Sequence, residues 1–161
     1  MIFVQNKKLL IRSMEKKDIN KSFVKSLNNN KLNKFLLSGE KKQSLRLAIK
    51  YFHYMNKNKH LYLCVIDKLE NKFVGTITYR KINKKNYYLG FMISNIKYLG
   101  NIVFYDAVKM SLKYLIKKYN IKKILAGTSK ENIASNFFLM KLGFVLKDKT
   151  KKTFNFEIKK I

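Results

Sequence analysis

The spacing of apolar residues changes period several times along the chain, and each change marks an element. Residues 7–13 (KKLLIRS) read as a short first strand. Over 15–27, Ile19, Phe23, Val24 and Leu27 recur at helical spacing, and Asn28-Asn29-Asn30 breaks the run. A second helix is predicted over 41–56, with Leu45, Ala48, Ile49, Phe52 and Met55 on one face. The period then shortens. Residues 61–67 (LYLCVID) and 72–81 (KFVGTITYRK) read as a hairpin around Lys68-Leu69-Glu70-Asn71, and 87–94 (YYLGFMIS) as a third strand after a turn at 83–86. Gly90 inside that strand marks a bulge or a close backbone approach. A long helix follows over 101–119, with Val103, Ala107, Met110, Tyr114 and Leu115 on its apolar face. Residues 122–128 form a strand, 132–141 a helix with Asn132 as N-cap and Gly143 closing it, and 144–149 and 153–159 two final strands. The predicted order is β-α-α-β-β-β-α-β-α-β-β, an α/β (α+β) fold with a mixed sheet covered by helices.

Composition sharpens this picture. A chain of 161 residues suits one domain and buries about two thirds of its unfolded surface, so it needs no staples. Its one cysteine, Cys64, allows no internal disulfide and sits in an apolar run, as a core residue does. No signal-like segment opens the chain and no apolar run reaches the ~20 residues of a membrane span, so a cytoplasmic location and no membrane partner are expected. The formal charge is +27, from 36 Lys+Arg against 9 Asp+Glu. Only Arg12, Arg46 and Arg80 are arginines. Nucleic-acid readers favour Arg in a concentrated stripe, whereas here Lys is spread along the whole chain, so nucleic acid is not the expected partner. The field still attracts anionic ligands and repels cationic ones such as polyamines. Nothing has metal-ligand spacing, and no Ser-His-Asp set or phosphate-binding glycine loop of the P-loop kind is present.

Two segments near the C-terminus are more specific. Asn132-Ile133-Ala134-Ser135 opens the last predicted helix, and Lys141-Leu142-Gly143-Phe144 ends it. With Val74-Gly75-Thr76-Ile77, and with the order of elements over essentially the whole length, they resemble the GCN5-related N-acetyltransferase (GNAT) superfamily. The resemblance is to the branch with ribosomal-protein N-terminal and sugar-amine acetyltransferases. It implies a mostly antiparallel sheet in which the strands before and after the long helix splay apart, and acetyl-CoA as acyl donor. Pantetheine would run in the gap beside Ile93. The pyrophosphate would rest on the amides that open the long helix, around Gly100, Asn101, Ile102, Val103, Phe104 and Tyr105, where free N–H groups and the helix dipole favour anions. Leu32 to Leu36 and Gly39-Glu40 resemble the branch's acceptor-side segment.

The chain departs from the family's pattern at that loop. Ile102 stands where the central glycine is expected and Phe104 where Gly or Ala is expected. A Phe104 on the buried side of the helix is harmless, but one aimed at the pyrophosphate blocks it. Many relatives protonate the leaving thiolate with a tyrosine four residues before the glycine of G-F; here that residue is Leu139. The resemblance then turns to Ser135, aided by Asn132, although both residues also suit a helix cap. Glu40 and His53 are the candidates for taking up the amine proton. Three functions follow: an enzyme acetylating a small anionic amine, foremost an amino-sugar nucleotide; a protein N-terminal acetyltransferase; or a degenerate polyanion-binding module, resting on Ile102 and Phe104. An edge strand near the C-terminus leaves room for a homodimer.

Overall fold

The computed structural model describes residues 1–36 and 41–159. Eight strands form one sheet: β1 (Ile2–Gln5), β2 (Leu9–Ser13), β3 (Leu61–Asp67), β4 (Lys72–Lys81), β5 (Asn86–Ile93), β6 (Lys123–Ser129), β7 (Val145–Lys149) and β8 (Thr153–Lys159). Their order is β1-β2-β3-β4-β5-β6-β8-β7. Every pair is antiparallel except β5–β6. A parallel pair needs a crossover, and α4 (Ile102–Tyr119) supplies it. The other helices are α1 (Lys21–Leu27), α2 (Asn30–Asn33), α3 (Leu45–Lys57) and α5 (Ile133–Lys141). This is the mixed, mostly antiparallel sheet flanked by helices that the sequence predicts.

The sequence reading gave no element at α2, and it differs from the structure in three further places. β1 is an additional strand, held at the edge by Phe3, whose ring meets Tyr114 of α4 edge-on at 4.6 Å. The helix predicted over 15–27 divides into a 3-10 turn at Lys16–Asp18 and α1, because the Asn20 side chain accepts the Phe23 amide and starts a new helix. Arg12 of β2 holds that turn, with its guanidinium on both Asp18 oxygens at 2.7 and 2.8 Å. The next helix begins at Leu45 rather than 41, because the Ser44 hydroxyl accepts the Leu47 amide.

Each face of the sheet has its own core. On one face α4 buries Phe104, Ala107, Val108, Ser111, Leu112 and Leu115, a stripe at i, i+3, i+4, i+7, i+8 and i+11. These pack with Leu139 of α5 and with Val74, Ile77, Tyr79, Leu89 and Ile124 of the strands. On the other face Phe23 of α1 and Ala48 and Met55 of α3 meet Tyr62, Cys64 and Met92. Burial pushes the Cys64 thiol up to about 12, so it is an inert core group.

β4 and β3 are out of simple register between Val65 and Ile66, opposite Gly75. A Cβ at Gly75 would strike the backbone carbonyl of Met92 and sit 3.0 Å from the Phe104 ring. Gly75 is therefore required by close approach. Substituting Gly75→Ala is expected to destabilise the fold by about 1–3 kcal/mol, the usual cost of overpacking, read as a lowered midpoint in thermal or urea unfolding.

Candidate active site

The site begins where β5 and β6 part company. They pair only from Asn86↔Lys123 to Leu89↔Ala126. Beyond that point Gly90 to Ile93 pair with β4 alone and Gly127 to Ser129 with β8 alone. The result is a wedge between two strands whose facing backbone groups lack partners across it. On the α4–α5 face the wedge is closed by aromatic rings. Phe91 lies 4.8 Å from Phe138 of α5, and Phe104 packs 6.2 Å from each. Tyr88, three residues from Phe91, projects to the opposite face. There the Tyr88 hydroxyl lies over the backbone of Gly127, in the space a Cβ would fill, and Asn155 Oδ1 is beside it. Glycine at 127 thus makes room for the Tyr88 hydroxyl, which roofs the narrow end of the wedge. Ser94, just past β5, has a buried Oγ with no hydrogen-bond partner in the described structure.

The start of α4 faces the wide end of the wedge. Gly100 has φ +71, with open space around it, and Asn101 caps the helix by accepting the Val103 amide at 3.0 Å. The first-turn amides of any helix lack intrahelical acceptors, so this end suits an anion. Phe104 is fully buried in the aromatic cluster and contributes no side chain to this end. Ile102 is about half exposed on the first turn. The blocking orientation of Phe104, one of the two residues on which the polyanion-module reading rested, is therefore excluded, while Ile102, the other, stays on the exposed side of the first turn.

The loop carrying these residues is anchored by Tyr98, whose hydroxyl donates to Asp67 at 3.0 Å. Burial and the Asp67 bond together push the Tyr98 hydroxyl up to about 12. Burial acts to raise the Asp67 carboxyl, but the bond from Tyr98 and the amides of Glu70 and Leu69 outweigh it and hold the carboxyl below its ordinary value. The sequence reading missed this pair, because residues 31 apart carry no local signal.

At the other side of the wedge, Asn132 caps α5 by accepting the Ser135 amide at 3.2 Å. Ser135 is half-buried in the first turn. Asn136, another residue that the sequence reading missed, ties this turn to the end of β6. It bonds the Thr128 hydroxyl, and its amide group donates to the Lys130 carbonyl at 3.1 Å. Tyr105 links the two helices through its hydroxyl and the Lys141 carbonyl, 3.0 Å apart. The structure thus brings Ile93, Gly100 to Tyr105, Asn132 and Ser135 around one wedge. It does not bring His53 there. His53 is exposed on α3 with its ring against Phe52. Glu40 lies outside the described residues. Leu139 is wholly buried in the core and carries no proton donor.

The family model described as acetyltransferase (GNAT) domain matches residues 8–145. The chain belongs to the GNAT family. It is an N-acetyltransferase with acetyl-CoA as co-substrate. Solved structures agree on the fold. A GNAT-family acetyltransferase from Bacillus anthracis superposes with a TM-score of 0.84 at 22% identity, covering 99% of this chain and 98% of that one. The spermidine N-acetyltransferase of Vibrio cholerae, in complex with CoA and spermine, gives 0.80 at 18% identity, with 96% of each chain covered. RimL, a ribosomal L7/L12 α-N-protein acetyltransferase in complex with coenzyme A, gives 0.85 at 14% identity, covering 99% and 98%. No curated protein sequence matches the chain.

In this GNAT enzyme the Tyr98–Asp67 bond holds the loop that leads into α4. Tyr98→Phe is expected to cost about 2 kcal/mol at neutral pH, as for a buried hydrogen bond to a charged acceptor, and to weaken acetyl-CoA binding several-fold. Asp67 has a depressed folded-state pKa, so its contribution is whole above the ordinary carboxylate value of about 4 and is lost as pH falls through the lowered one. The stability gap between wild type and variant should therefore close in acid, read by urea unfolding across pH.

Proposed function

We propose that this GNAT enzyme acetylates the primary amine of a small anionic acceptor, foremost an amino-sugar nucleotide. The observation that carries the proposal is the wedge between β5 and β6, shut toward α4 and α5 by Phe91, Phe104 and Phe138, which leaves the acceptor the face of Tyr88 and Arg80. A donor lying in the wedge meets its acceptor only from that face. The overall charge of +27 draws anionic acceptors toward it and repels polyamines.

In this reading the amides of Ile102 to Tyr105, with Gly100 and Asn101 leading in, hold the pyrophosphate. The anion takes the Val103 amide in place of the Asn101 side chain. Pantetheine runs along Gly90 to Ile93 and uses the free strand edge, with the Ser94 hydroxyl as a further polar contact. Asn132 and Ser135 stand at its other side. The amine nitrogen attacks the thioester carbonyl, the C–N bond forms and the C–S bond breaks. The amine proton goes to water on the Tyr88 face. The Ser135 hydroxyl protonates the departing thiolate and is reprotonated by solvent.

Ser135→Ala leaves the cap of α5 intact, since Asn132 bonds the backbone amide of Ser135 and not its hydroxyl. The variant should lower kcat about 100-fold with little change in the KM for acetyl-CoA, followed by release of the CoA thiol. An unchanged kcat removes Ser135 from the chemistry. The acceptor is tested by the same assay on an aminodeoxy-sugar nucleotide, a peptide with a free N-terminal serine, and spermidine. Turnover of the nucleotide alone supports the proposal. Turnover of the peptide instead replaces it with protein N-terminal acetylation.

A further inference from the structure

The Tyr88 face of the wedge holds a positive charge that is in no ion pair among the described residues. Arg80 is the cross-strand partner of Tyr88, and its guanidinium lies 4.8 Å from the centre of the Tyr88 ring. Tyr88 in turn places its hydroxyl at the narrow end of the wedge, over Gly127. A guanidinium over a ring face keeps N–H donors for a forked contact with an oxyanion. Arg12, by comparison, is occupied by Asp18, and Arg46 is exposed on the first turn of α3. Among the described residues Arg80 is in no ion pair.

The neighbours of Arg80 are aromatic and neutral donors. Tyr51 of α3 hydrogen-bonds Thr78, the residue two before Arg80 on the same side of β4, and stacks with Tyr54 at 6.2 Å. His60 receives the Lys81 amide on Nδ1 at 3.1 Å and lies 5.6 Å from Tyr54. Burial lowers the His60 pKa first and the positive charge of Arg80 lowers it further, which keeps the imidazole neutral with Nε2–H as a donor. Burial raises the Tyr51 hydroxyl, and Arg80 and Thr78 oppose it without reversing it, so the phenol also stays protonated. Arg80 acts on both Tyr51 and His60.

We infer that Arg80, seated on Tyr88 and flanked by Tyr51 and His60, is the anion-binding residue of the acceptor site and selects amines that carry a phosphate or carboxylate near the reacting nitrogen. The inference rests on the proposed function, since it takes the Tyr88 face as the acceptor side. A polyamine or the cationic end of a basic peptide meets Arg80 with like charge, whereas an oxyanion gains a charge-assisted, forked hydrogen bond.

The test uses matched acceptors that differ only in the anion: phosphoethanolamine against ethanolamine, and an amino acid against its amide. For each pair the ratio of kcat/KM is measured by thiol release, and binding to the enzyme saturated with CoA is measured by calorimetry. The wild type should prefer the charged member. Arg80→Gln should reduce that preference about 10- to 100-fold, and Arg80→Lys should restore only part of it. Lys113→Gln, on the exposed side of α4, removes the same unit of charge far from the wedge and should leave the ratio unchanged. A larger loss for the phosphate pair than for the carboxylate pair identifies phosphate as the anion, and the reverse identifies carboxylate. An equal loss for Lys113→Gln and Arg80→Gln, or no preference in the wild type by either measurement, overturns the inference. If no amine is acetylated but charged amines still bind through Arg80, the acceptor reading fails and the anion site stands.

Discussion

The short parallel pairing between β5 and β6 governs the rest of the molecule. Four residue pairs join the strands, and after Leu89↔Ala126 each turns to its antiparallel neighbour on the other side. A sheet that stayed paired would have no interior opening and no unpaired strand edge to offer a ligand. A sheet that separated fully would lose the core that Tyr87, Leu89, Ile124 and Ala126 build under α4. Halting the pairing partway keeps both, because the hydrophobic contacts of the paired half hold the unpaired half in place.

Aromatic residues decide which side of that opening is usable. Phe91, Phe104 and Phe138 fill the α4–α5 side, so the Phe104 ring that replaces the family's small residue stays out of the anion-binding end of the helix. The replacement moves bulk inward. On the other face Tyr88 roofs the narrow end and carries Arg80 on its ring. One strand therefore seals the wedge with Phe91 and furnishes its opposite face with Tyr88, through the alternation of side chains along a strand.

Charge acts at two scales. The surface lysines set a long-range field that salt screens within about 10 Å. The fixed contacts near the site are few and specific: Tyr98 to Asp67 anchors the approach to α4, and Asn136 anchors the start of α5. Both use neutral donors on carboxylate or carbonyl acceptors, so they hold the loops without adding to the positive field on the ligand side.

Local periodicity was enough to read β3 to β6, α4, α5 and the two last strands, because each has a clear period and a turn or cap at its ends. The Asn132 cap was legible for the same reason, whereas Ser135, Gly75 and Gly100 were singled out only by the resemblance to the family. The first strand was not, since four residues carry too little pattern, and α1 was blurred with the 3-10 turn before it. What only the tertiary structure decided is which groups meet. Phe104 has the same local context whether it faces the core or the phosphate end, and its direction follows from Phe91 and Phe138 on other elements. Tyr88 and Gly127 are 39 positions apart and adjoin because the crossover through α4 returns the chain beside β5. His53 and His60 look alike in sequence, yet helix phase turns one to solvent while the turn after α3 brings the other beside Arg80. Periodicity determines which face of an element is apolar; the register between strands and the crossover set what that face, and the polar one, will touch.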